Sequence, residues 1–220
     1  MKKILIGLLL AAPIMAIGQT ANPLIITWQA NNYFPADYAG KALPTPNTVI
    51  VASVEMVSGG KLADITKAEI FWYANDELIS HGTGVKTVSF PANAQGDGYE
   101  TLRAEVKSGN SDFQGSARFQ VVQPKIILAL PNSGNFVIAG KQTLIQALPY
   151  FFNVDSLDNL KFFWTVNGQT TGSGGNGITL NVGTPNPGDQ NSVNVSVTAQ
   201  NSDNLYEVGK SVFNIPIITQ

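Results

Sequence analysis

The chain has 220 residues with 13 Lys+Arg, 15 Asp+Glu, one His and no Cys, a formal net charge of −2. Hydrophobic residues reach 44% and charged residues only 13%, so there is enough apolar side chain to bury a core, which excludes a disordered chain. The acidic balance excludes a phosphate-backbone binder, and the missing cysteines exclude disulfides, thiol nucleophiles and zinc fingers.

The first residues read as an address. Lys2 and Lys3 precede an apolar run over 4–17, and Ala16 and Gly18 put small residues at the −3 and −1 positions of a cut before Gln19. This is the layout of a secretory signal peptide over 1–18; the run is shorter than the ~20 residues that span a bilayer. We expect an exported chain, secreted or retained in the envelope, with no transmembrane segment after cleavage.

Alternation of apolar and polar residues, the period of a half-buried strand, then predicts strands at 24–30, 48–57, 69–74, 87–90, 102–106 and 113–122. A second set follows at 125–130, 142–148, 160–166, 178–182, 193–199 and 207–218. Between the first two strands runs a long segment holding Trp28, Tyr33, Phe34 and Tyr38. Tyr33, Phe34 and Tyr38 are the candidate interaction loop, because aromatics order at low entropic cost. The same rings could instead cover the open end of their own sandwich. Tyr150-Phe151-Phe152, at the matching end of the second set, is expected to pack in a core.

The two sets are copies. Ile70-Phe71-Trp72-Tyr73-Ala74-Asn75 lines up with Phe162-Phe163-Trp164-Thr165-Val166-Asn167 at an offset of 92, and Leu102–Val106 with Val193–Val197 at an offset of 91. Asn110-Ser111-Asp112 recurs as Asn201-Ser202-Asp203 at 91. The expected organisation is therefore all-β: one sandwich over 19–123 and a second over 124–220, with Trp72 and Trp164 as structural core residues between their sheets.

Motifs that would carry catalysis are absent or misplaced. Gly172-Ser173-Gly174-Gly175-Asn176-Gly177 matches G-x-G-x-x-G, but a strand follows where a dinucleotide site needs a helix, so it reads as a hairpin loop. His81 reads as an exposed loop residue; Ser80 and Asp76 beside it have no nucleophile elbow. Asp97, Asp155 and Asp158 are turn acids with neither the spacing of a calcium loop nor an evident glycosidase pair. No catalytic, cofactor-binding or metal-binding residue is assigned. Calcium is the one cofactor that turn acids leave open.

Trp164-Thr165-Val166-Asn167-Gly168 followed by Val193-Asn194-Val195-Ser196-Val197 resembles the immunoglobulin-like superfamily, and within it the PKD-type domains of bacterial surfaces; Trp72 and Leu102–Val106 repeat the likeness. The aspartate- and glycine-rich turn of better-known PKD modules is replaced after Trp72 by Ala74-Asn75-Asp76-Glu77. The resemblance implies two immunoglobulin-like β-sandwiches in a non-enzymatic surface or envelope module, part of an adhesive or appendage assembly, whose partners are other surface proteins. The alternative is a carbohydrate-binding module using Tyr33, Phe34 and Tyr38. Nucleic acid is excluded as a partner.

Overall fold

The computed structural model of the chain describes residues 23–93, 96, 98–131, 134–184 and 191–219. The expected signal peptide and Asp97 lie outside the described residues. Sixteen strands are formed among the described residues. The first half contributes β1 (Leu24–Asn31), β2 (Val49–Ser58), β3 (Lys61–Ala63), β4 (Glu69–Ala74), β5 (Glu77–Thr83), β6 (Thr87–Pro91), β7 (Tyr99–Ser108) and β8 (Ser111–Gln120). The second contributes β9 (Lys125–Ala129), β10 (Val137–Ile138), β11 (Gln142–Tyr150), β12 (Leu160–Val166), β13 (Gln169–Gly174), β14 (Gly177–Asn181), β15 (Ser192–Asn201) and β16 (Val208–Ile218), with one 3-10 turn at Leu157–Asn159. Among the described residues, no helix is long and apolar enough to cross a membrane.

Local chemistry sets the hairpins. Asn75-Asp76 between β4 and β5 (φ 47° and 67°) and Asn167-Gly168 between β12 and β13 (φ 49° and 79°) take the left-handed conformation that two-residue hairpin turns demand. In the first half β2 pairs with β1 along one edge and with β6 and β3 along the other; β5-β4-β7-β8 forms the facing sheet. In the second half β14-β11-β9 faces β10-β16-β15-β12-β13, and β10 runs parallel to β16. Every second residue of β2, β7 and β15 is buried, so each sheet turns one face inward. The inner faces make two separate apolar clusters, one around Trp72 and one around Trp164, both fully buried. Strand order and the Trp on an interior strand of one sheet are those of the immunoglobulin fold, and the chain is all-β with two tandem sandwiches of that type.

Three details differ from the sequence reading. His81 lies on β5, opposite Phe71, and not in a loop; Gly172-Ser173-Gly174 ends strand β13, leaving only Gly175 and Asn176 as its turn. Both strands are polar edge strands, so no alternation announces them. The internal repeat also shifts. Trp72 pairs with Ala104 and Trp164 with Val197, an offset of 93 across that strand instead of 91.

Candidate functional site

The segment joining β1 to β2 does not stay on its own sandwich. The Tyr33 N–H donates to the Phe152 carbonyl at 2.7 Å, and the Phe151 N–H returns a bond to the Tyr33 carbonyl at 2.7 Å. This isolated antiparallel bridge connects the two halves. The Tyr33 ring packs on the second core, where loss of water raises its phenol pKa above the ordinary value. Tyr38 meets Tyr150 edge-on at 5.4 Å and Phe151 at 5.7 Å, with Phe34 5.8 Å away on the same segment. The ring that closes the first half's own end is Trp28, 4.5 Å from Phe119 and capped by the Lys41 ammonium at 3.4 Å. Partial burial there lowers the Lys41 pKa.

Phe151 holds a positive φ of 66°, a strained state for a residue with a Cβ that costs on the order of 1–2 kcal/mol. Its N–H bond to Tyr33 and its burial keep it there. The strain lets Phe151 and Phe152 address Tyr38 and Tyr33 from successive positions.

A polar clamp sits beside the aromatic one. The Thr48 hydroxyl donates to Asn153 Oδ1 at 2.5 Å, and Asn153 Nδ2 donates to the Pro46 carbonyl at 3.0 Å. The Thr45 hydroxyl donates to Glu207 Oε1 at 3.3 Å, where the Asn153 N–H also donates at 2.9 Å. Asn201 Nδ2 donates to Glu207 Oε2 at 2.6 Å. Thr45, Thr48, Asn201 and Glu207 are buried, so each of these groups needs its partner. The joint is also held at its chain crossing: the Val122 N–H donates to the Pro44 carbonyl at 2.8 Å.

A cleft of about 130 Å³ opens at this joint, with Thr45, Pro46, Pro124, Tyr206 and Glu207 in its lining. Tyr206 is 97% exposed, between Leu205 (59%) and Val208 (40%). The loop that carries it is braced. Its Tyr206 N–H donates to Asn204 Oδ1, Glu207 N–H to the Asn204 carbonyl, and Gln200 Nε2 to the Leu205 carbonyl at 2.8 Å.

The remaining candidates stay apart. Ser80 lies opposite Trp72 and His81 opposite Phe71, on alternate faces of β5, while Asp76 sits in the turn 3.8 Å from Arg103. His81 stacks on Phe71 at 5.6 Å. Asp155 is exposed before the 3-10 turn and Asp158 is exposed within it. Among the described residues, no group of three or more His, Cys, Asp and Glu is placed to hold a metal ion. Of the candidate loop, Phe34 keeps 37% of its surface open, whereas Tyr33 and Tyr38 are engaged with the second half. Sequence reading missed Thr45, Thr48, Asn153, Tyr206 and Glu207. The clamp's bonds across the joint link residues 105 to 162 apart in the chain, and no local pattern marks them.

No protein-family model and no curated protein matches the chain. Among solved structures it is similar to the fibronectin(III)-like modules of Clostridium thermocellum CbhA, at 15% identity over 89% of this chain and 95% of that one, with a TM-score of 0.30. It is similar to three N-terminal domains of the bacteriophage RB49 outer capsid protein Hoc, at 13% identity over 88% of this chain and 59% of that one, TM-score 0.43. A third similarity is to a bacterial ice-binding adhesin, at 15% identity over 90% of this chain and 66% of that one, TM-score 0.31.

Proposed function

We propose that the chain is an exported, non-enzymatic module of a cell surface or envelope that holds two immunoglobulin-like sandwiches in one fixed orientation and presents the loops at their joint to other surface proteins. The observation that carries this reading is the clamp: Thr45 and Thr48 of the first half bonded to Asn153 and Glu207 of the second, beside the Tyr33–Phe152 bridge. A chain that merely tethered two domains would not bury polar side chains between them, because each would lose water without return. The dispersed His81, Ser80 and Asp76 support a binding role over a catalytic one. Membership of a PKD-type group, and a place in an adhesive or appendage assembly, belong to the same proposal.

Carbohydrate binding through Tyr33, Phe34 and Tyr38 is the alternative, and it asks for ring faces that a sugar can cover; of these three, Phe34 is the ring left exposed. A glycan array separates the two, since flat binding across all glycans removes the alternative. The main reading is tested by treating intact cells with protease and cross-linker. Cleavage of the chain on intact cells, together with cross-links to surface proteins, supports it. A chain protected until lysis, or one without surface cross-links, overturns it.

A further inference from the structure

We infer that the cleft at the joint is a binding site for a cationic side chain, an arginine presented by a partner protein, held between the Glu207 carboxylate and the Tyr206 ring. The inference rests on the interaction-module reading for the existence of a protein partner, and on the cleft alone for its chemistry.

Glu207 is 7% exposed and lines the cleft. Its carboxylate accepts from the Thr45 hydroxyl, the Asn153 N–H and Asn201 Nδ2, all neutral donors. They leave its charge uncancelled: the ion pairs formed among the described residues are Lys86–Glu55, Arg103–Asp76 and Arg103–Glu105, and none involves Glu207. A nearly buried anion without a counter-ion attracts a cation more strongly than a surface carboxylate does, because less water screens it.

The rest of the cleft suits the same ligand. Tyr206 stands 97% exposed on a loop whose backbone is braced by Asn204 and Gln200, so its ring is open to a partner. An aromatic face beside an anion is the arrangement that takes a guanidinium, stacked on the ring and paired with the carboxylate. Pro46 and Pro124 bring apolar ring surface and no N–H to compete for the anion. Leu205 and Val208 add an exposed apolar rim for the neighbouring residues of the partner.

The test is a titration of the 15N-labelled full-length chain with N-acetyl-arginine methylamide, the lysine analogue and the neutral glutamine analogue. Saturable amide shifts confined to Thr45, Tyr206, Glu207 and Val208 are expected with the arginine probe, weaker with lysine and absent with glutamine. Tyr206→Ala, at an exposed position that leaves folding intact, should weaken the arginine probe about fivefold to tenfold, and Glu207→Gln should abolish binding. No saturable shift, an equal response to the glutamine probe, or full affinity in a folded Tyr206→Ala chain overturns the site. Cross-linking on intact cells fails separately: surface partners captured equally by wild type and Tyr206→Ala would remove this cleft and leave the module reading standing.

Discussion

The indole N–H of Trp72 donates to the Val85 carbonyl at 2.8 Å, and Trp164 repeats the bond to the Gly175 carbonyl at 3.2 Å. Each ring therefore fills its core and also ties down the chain that leaves the polar edge strand beside it. With no disulfide to span the sheets, this pairing of bulk and hydrogen bond fixes their spacing. Trp72→Ala should cost about 3–5 kcal/mol. Trp72→Phe keeps an aromatic ring and strands the Val85 carbonyl, costing roughly 1–3 kcal/mol. Chemical denaturation of both variants separates the two contributions: a Trp72→Phe chain as stable as wild type would show that the hydrogen bond does nothing, and equal losses in both variants would show that the ring's bulk adds nothing to it.

Asn75 and Asn167 form the second internal match. Each takes a positive φ, and each side-chain Oδ1 accepts a backbone N–H from the facing strand: Thr101 at 3.0 Å and Asn194 at 2.9 Å. Asn75→Gly keeps the turn and loses the clasp; Asn75→Ala loses the clasp and adds left-handed strain. We expect a loss of about 1 kcal/mol for Gly and about 1–2 kcal/mol more for Ala. Thermal unfolding ranks them, and an alanine variant as stable as glycine would sink the strain argument.

These matches explain what sequence could and could not disclose. Strands β4 and β12 run over 69–74 and 160–166, the bounds expected for the strands that carry Trp72 and Trp164. Strands β5 and β13 escape because an edge strand with mostly polar residues has no buried face to impose a period. The repeat offset slips by two residues because a strand's side-chain period is two: pairing Val197 with Val106 or with Ala104 buries the same face. Asn110-Ser111-Asp112 resembles Asn201-Ser202-Asp203, yet the first closes a tight hairpin and the second opens the loop that carries Tyr206. The joint itself is illegible in sequence, since Tyr33 and Phe152 signal aromatic burial without saying against what.

Glu100 gives a pH dependence of defined sign. It is 1% exposed, and loss of water raises its pKa above the ordinary 4.5, an effect the Asn93 N–H bond at 2.9 Å only partly opposes. Above 4.5 the folded chain binds more protons here than the unfolded chain, so this group's contribution to stability falls as pH rises through its folded pKa. Glu100→Gln removes the titration and keeps a carbonyl acceptor for Asn93. The difference in unfolding free energy between variant and wild type should move in the variant's favour as pH rises from 4.5 toward 7. A difference that stays flat across that window would remove the buried-carboxyl account.

Gly209 tests the joint from beneath. A Cβ there would lie 2.8 Å from Phe152 Cζ and 3.4 Å from Ile126 Cγ1. Phe152 is fully buried, so its ring has little room to yield, and its carbonyl is the acceptor for Tyr33. Gly209→Ala should therefore cost about 1–3 kcal/mol by overpacking. The displaced ring should also carry its backbone away from Tyr33. Hydrogen exchange at the Tyr33 amide then rises more than at Trp72, deep in the first core. Gly183→Ala, where an added Cβ meets nothing within 4 Å, is the control and should stay within about 0.5 kcal/mol of wild type. Faster exchange at Tyr33 in Gly209→Ala alone means that the second core sets the rigidity of the joint; unchanged exchange in a destabilised variant means that the polar clamp of Thr45, Thr48, Asn153 and Glu207 holds it without the aromatic bridge.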